Sequence, residues 1–100
     1  MLYKTFELQI TSEAYHDLLD IENYTFSEFG ENQWIKYGQK LDSSLKSILN
    51  NPLIGHKRID IPLNYLSFVV GEHLLIYRIS ESTIYLLRVY HSKMDFTFKF

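Results

Sequence analysis

The chain has no cysteine, two prolines, four glycines and one tryptophan in its 100 residues. Without cysteine there are no disulfides, no thiolate metal sites and no cysteine nucleophile, a pattern that fits a reducing cytosol. Proline and glycine are too few for a linker, and no repeat or low-complexity stretch is present, so residues 1–100 read as one domain. No uncharged apolar run approaches about twenty residues, and the N-terminus lacks an apolar signal region. The expectation is a soluble, unexported, cytoplasmic protein with no membrane partner. Positive charge is also in short supply: the net charge is −2 and the pI about 6.0. Broad nonspecific nucleic-acid binding, which depends on many lysines and arginines neutralising phosphates, is therefore not expected.

What the chain does have is apolar mass. Hydrophobic residues make up 46% and aromatics 16%, with eight Tyr and seven Phe, far more than a disordered chain carries. A domain of this size buries roughly 60 to 70% of its unfolded surface. Charge is divided unevenly. Residues 1–56 hold four lysines against eight acids, and residues 57–100 hold six bases against four acids. A local basic site thus belongs to the second half.

Periodicity orders the elements. Tyr3 to Ile10 alternates as a half-buried strand. Thr11-Ser12 offers a capping hydroxyl, and Glu13 suits the first turn of a helix. Ala14, Leu18, Ile21, Thr25 and Phe29 then line one helix face, and Gly30 ends it. Trp34, Tyr37, Leu41, Leu45 and Ile48 line a second helix that stops at Asn50-Asn51-Pro52. A turn as short as Gly30-Glu31 folds the two helices into an antiparallel hairpin. Pro52 to Tyr65 reads as an irregular connection pinned by Ile54, Ile59 and Ile61. Leu66–Val70, His73–Ile79 and Ile84–His91 read as strands, with Gly71-Glu72 suited to a type II′ turn and Ser80 to Thr83 forming the next one. The order β-α-α-β-β-β predicts an α+β domain, a helical hairpin packed on an antiparallel sheet.

No standard catalytic or metal motif is present, so no metal or cofactor is expected. Of the four histidines, His16 and His73 read as ordinary surface or turn-proximal residues, whereas His56 and His91 adjoin basic residues. Arg78 and Arg88 are the informative cations, because a charge inside an apolar strand needs a partner or a wet groove. Pairing Ile79 with Ile84 sets Arg78 opposite Tyr85 and Arg88 opposite Leu75, on opposite faces, with Arg78 and His91 sharing a face. One of these arginines is expected to be held by a helix carboxylate such as Asp17, Asp20 or Asp42. The other reading is a cationic groove for an anionic partner. The surplus aromatics, above all Phe96-Thr97-Phe98-Lys99-Phe100, suggest an apolar surface covered by a partner.

Several segments resemble a known family. Tyr24-Thr25, Gly30, Gln33 and Tyr37 are followed by Leu41, Leu45 and Asn51-Pro52-Leu53-Ile54-Gly55. Next come Arg58-Ile59-Asp60-Ile61-Pro62, the run Val70-Gly71-Glu72-His73-Leu74-Leu75-Ile76-Tyr77-Arg78-Ile79, and Leu87-Arg88-Val89-Tyr90-His91-Ser92-Lys93-Met94-Asp95. Together, in order and spacing over nearly the whole chain, they resemble the ParE toxins of the RelE/ParE superfamily. The resemblance implies the same β-α-α-β-β-β fold and a bacterial type II toxin neutralised by a cognate, ParD-like antitoxin in a hetero-oligomer. ParE relatives imply DNA gyrase as target, poisoned by protein contact without catalysis. On that reading Arg78, Arg88, His91, Lys93, Met94, Asp95 and Phe98 would face the target, and Leu18, Trp34, Tyr37, Leu41 and Phe96 the antitoxin. RelE relatives imply the alternative, a metal-independent, ribosome-dependent mRNA endonuclease, for which Arg58, Arg78, Arg88 and His91 would be catalytic, with Tyr90 a further donor. The acidic first half and net −2 charge suit the non-catalytic poison better than an enzyme that must approach ribosomal phosphates. A degenerate toxin that keeps only antitoxin binding is the third reading. The Phe-rich ending departs from the more basic or polar tails of many ParE sequences.

Overall fold

Thr11 marks where the chain turns from strand to helix. Its side-chain oxygen accepts the Ala14 backbone N–H at 3.2 Å, its own hydroxyl donates to the Leu87 carbonyl at 3.0 Å, and its N–H donates to the Leu86 carbonyl at 3.1 Å. One residue therefore caps the first helix and ties it to the last strand. The computed structural model describes residues 5–93. These form strand β1 (Glu7–Ile10), helices α1 (Ser12–Phe29) and α2 (Glu31–Asn50), a 3-10 turn at Pro52–Ile54, and strands β2 (Leu66–Val70), β3 (His73–Ser80) and β4 (Thr83–His91). Gly30 alone joins the helices. Its φ of +88° and its N–H bond to the Phe26 carbonyl at 2.9 Å close α1 as expected.

The four strands lie in the order β1-β4-β3-β2. The β2–β3–β4 meander is antiparallel, as the sequence predicts, but β1 adds to it parallel to β4, which makes the sheet mixed. A strand joined to its neighbour through two helices and two hairpins has no turn to impose antiparallel pairing. The first hairpin has the expected turn: Gly71 has φ +55° while Glu72 does not have positive φ.

The helices cover one face of the sheet. Ala14, Ile21, Leu41 and Ile48 pack with Val70, Leu75, Tyr77, Ile84, Leu86 and Val89. On the other face Ile61 lies over Leu74, Ile76 and Tyr90, with Tyr65 beside them. Covered on both faces, the central strand buries Leu74 to Tyr77 without a break. Replacing Ile48, 1% exposed, by alanine would cost about 2–5 kcal/mol. Two predicted core residues lie outside: Phe29 is 64% exposed at the hairpin tip, and Ile59 is fully exposed while Ile54 and Ile61 do the pinning. The connection is held instead by Tyr77, whose hydroxyl accepts the Gly55 N–H at 3.0 Å and donates to the Pro52 carbonyl at 2.7 Å. Gly55 has to be glycine here, because a Cβ would lie 2.6 Å from that hydroxyl oxygen.

Candidate functional site

A bulge in β4 rearranges the predicted site. Ile79 pairs with Ile84 and Arg78 with Tyr85, as expected, but the register shifts between Ile76 and Tyr77, so that Arg88 faces Ile76 rather than Leu75. Leu87 is the extra residue, and it inverts the alternation beyond it. Arg88 consequently roots on the same face as Arg78, and His91, paired with His73, roots on the opposite, helix-side face. The expected sharing of a face by Arg78 and His91 is thus corrected. Arg78 lies five positions along β3 from the His73–His91 pair, about 17 Å at strand rise.

Each arginine is engaged within the chain. Asp17 of α1 accepts Arg88 Nε at 2.8 Å and Nη2 at 2.9 Å, and its Oδ2 also accepts the Val89 N–H at 2.9 Å, on the β4 edge that β1 leaves uncovered. This is the anticipated helix carboxylate, and its hydrogen bonds raise the Arg88 pKa above its ordinary value. The Arg88 guanidinium also sits 4.6 Å from the Tyr90 ring centroid. Arg78 stacks over Tyr85 at 4.3 Å. Arg58 forms a bidentate pair with Asp60 at 2.8 and 2.7 Å. The candidate catalytic set is thus distributed over three places.

Among the described residues a connected polar cluster forms instead where α2 meets the His73–His91 end of the meander. The Tyr37 ring lies against Gly71, where a Cβ would approach it to 2.7 Å. Its hydroxyl donates to the Val70 carbonyl at 3.0 Å and stands 2.6 Å from His73 Nδ1. With its one hydrogen committed to Val70, the tyrosine oxygen accepts the His73 Nδ1–H, which leaves Nε2 as an acceptor. The His73 and His91 rings meet edge to face at 5.5 Å. His91 Nδ1 accepts the Lys93 N–H at 3.2 Å, and its Nε2 faces the Glu72 carboxylate at 3.6 Å. Burial, then the neighbouring His91, hold His73 below the usual imidazole range, with Glu72 opposing them. Burial also raises the Tyr37 hydroxyl above its ordinary value.

This cluster lines a cleft of about 690 Å³ between the helices and the β3–β4 end, whose apolar wall includes Ile21, Tyr24, Phe29 and Val89 and whose charges include Asp20, Lys40 and Glu72. Of the expected antitoxin-facing residues, Tyr37 lies in the cleft, and Leu18 and Trp34 are part-buried against the core. Leu41 is 4% exposed and packs in the core, where it ties α2 to the sheet. Arg88 and His91 line the cleft, and Lys93 is exposed beyond it. Met94, Asp95, Phe96 and Phe98 lie outside the described residues. Sequence reasoning missed His73 and Glu72. The one available signal was that His73 and His91 end neighbouring strands at the same end of the meander. Among the described residues no three His, Asp or Glu side chains are placed to hold a metal, and no helix is long and apolar enough to cross a membrane.

Comparison with known proteins agrees with this architecture. The family model described as ParE toxin of type II toxin-antitoxin system, parDE, matches residues 8–96. Toxin ParE1 of Mycobacterium tuberculosis is 31% identical over 87 residues, covering 86% of this chain and 89% of the relative. Toxin ParE1 of Caulobacter vibrioides is 25% identical over 87 residues, covering 87% and 90%. In shape the chain is similar to a structure of the chromosomal ParDE system from P. aeruginosa, with a TM-score of 0.78 and 17% identity over 91% of this chain and all of that one. It is also similar to the toxin-antitoxin complex RelBE2 from Mycobacterium tuberculosis, with a TM-score of 0.61 and 21% identity over 87% of this chain and 98% of that one. At these identities the structural likeness speaks to the fold alone.

Proposed function

The chain belongs to the ParE toxin family of type II toxin-antitoxin systems, and from that membership we propose that it arrests growth by binding DNA gyrase, as a protein-contact poison and not as a nuclease. The observation that carries this reading is the dispersal of the candidate catalytic groups. Phosphodiester cleavage needs a base, phosphate-binding cations and an acid within hydrogen-bond reach of one substrate. Here Arg58 is paired with Asp60, Arg88 with Asp17, Arg78 lies on Tyr85, and His91 roots on the opposite face from Arg78. We further propose that the cleft between hairpin and sheet receives a segment of a ParD-like antitoxin. Its apolar wall suits an amphipathic segment, and Tyr37, His73 and Glu72 supply the polar groups that fix orientation.

Purified gyrase incubated with the chain and supercoiled DNA should accumulate cleaved DNA. Unchanged supercoiling and cleavage at high toxin concentration would overturn the gyrase reading. Ribosome-dependent transcript cuts that vanish in Arg78→Ala would replace it with the nuclease. Co-expression with the cognate antitoxin should restore growth, and a Tyr24→Glu change in the cleft wall should weaken that rescue.

A further inference from the structure

The face of the sheet turned away from the helices has features the cleft does not explain. Ile61 is buried there against Leu74 and Ile76, and this anchor leaves its neighbours two positions away facing outward: Ile59 is 105% exposed and Leu63 85%. Aliphatic side chains this exposed, close together on either side of a buried anchor, bury little of their own surface in the fold. Lys57 is exposed on the same connection. Along β3, alternation places Arg78 on the face of Leu74 and Ile76, about 7 Å beyond Ile76. The bulge at Leu87 brings Arg88 to that face as well.

Charge separates this surface from the cleft side. The hairpin, residues 12–50, carries seven acids against three lysines, a net negative balance. Arg58 is balanced by Asp60, and Arg88, though rooted on this face, is balanced by Asp17 at the cleft. Among the described residues neither Lys57 nor Arg78 has a carboxylate partner, so within them two cations stand uncompensated on the side of the molecule where Ile59 and Leu63 are exposed. We propose that this face, centred on Lys57, Ile59, Leu63 and Arg78, is the surface that docks the toxin's target, and that it takes an acidic protein surface with an apolar socket. The inference rests on the protein-contact reading above and adds where the contact is made: on a face separate from the antitoxin cleft.

A protein fits these residues better than a nucleic acid. Two uncompensated cations supply little of the phosphate neutralisation that polyanion binding requires. The exposed anchors are isoleucine and leucine, which offer no ring for a base to stack on. An acidic protein partner is served by the combination, since the cations steer the encounter and the aliphatics supply the buried contact.

The test is a triple variant, Lys57→Glu with Ile59→Ser and Leu63→Ser, compared with the unaltered chain for growth arrest on graded induction and for capture of the co-expressed antitoxin. All three side chains are exposed, so thermal unfolding should match that of the unaltered chain. The induction needed for arrest should rise at least about tenfold, the scale of losing a binding anchor, while antitoxin capture stays within about twofold. Lys57→Glu alone should give a smaller rise. Undiminished arrest in the triple variant overturns the proposal. So does loss of antitoxin capture, which would make this the antitoxin's surface. Light scattering that shows a dimer only for the unaltered chain would assign the face to a second copy, and single-stranded RNA binding lost in the variant would assign it to nucleic acid; each overturns it. If the unaltered chain arrests no growth at all, the toxin reading fails first and this inference with it.

Discussion

Two bidentate arginine–aspartate pairs, Arg88–Asp17 and Arg58–Asp60, have nearly the same hydrogen-bond lengths and opposite structural importance. Arg58 and Asp60 are two positions apart on an exposed connection, and they mainly restrain each other. Arg88 and Asp17 are 71 positions apart, and their side chains are only 31% and 14% exposed. Asp17 also accepts the Val89 N–H at the edge of β4 where β1 stops. The second pair thus closes an unfinished sheet edge and fastens α1 to it. Distances alone would rank the two alike. What separates them is solvent access and how much chain each one joins.

The largest predicted effect breaks the long-range pair. Asp17→Ala should cost about 2–4 kcal/mol in denaturant unfolding, because it strands a half-buried guanidinium and a backbone N–H together. Asp17→Asn, which can still accept the Val89 N–H, should cost clearly less. Equal losses for the two variants would mean that the edge contact does not matter. Next in size is Tyr77→Phe, which deletes the bonds to Gly55 and Pro52. A loss of about 1–3 kcal/mol is expected, with faster proteolysis of the 52–65 connection as the second readout.

A smaller effect comes from His73. Its folded pKa lies below the unfolded value of 6.5, so the unfolded chain takes up the proton more readily. Stability should be full above about pH 6.5 and should decline as the pH falls from there toward the depressed folded value. His73→Gln should flatten that decline between pH 7 and 5; an unaltered slope would remove His73 as its cause. Smallest of all, Arg58→Ala and Asp60→Ala should each change stability by less than about 1 kcal/mol, since the pair is solvent-screened. A larger loss would erase the contrast between the two pairs.

Much of the architecture is legible in local chemistry. Thr11, Gly30 and Asn51-Pro52 bound the helices because capping and proline geometry act within a few residues. Gly71-Glu72 forms its turn for a similar local reason. The possibility that a helix acid such as Asp17 holds one arginine follows from the cost of a charge in an apolar strand. Ile59 escaped this kind of reasoning: being aliphatic on an irregular segment identifies a core candidate, but only the seat taken by Ile61 decides which isoleucine goes inside.

The sequence by itself determined the elements, their order, the helix stripes and the family, since each is written in spacing over a few turns or strands. Only the tertiary structure decided which residues share a face. β1 runs parallel beside a strand more than seventy positions away, and no local turn sets that pairing. A single extra residue at Leu87 inverts the parity of everything after it, sending His91 to join His73 and Tyr37 and leaving Arg88 with Arg78. Strand alternation has a period of two residues, so one bulge is enough to move a residue from one face of the molecule to the other.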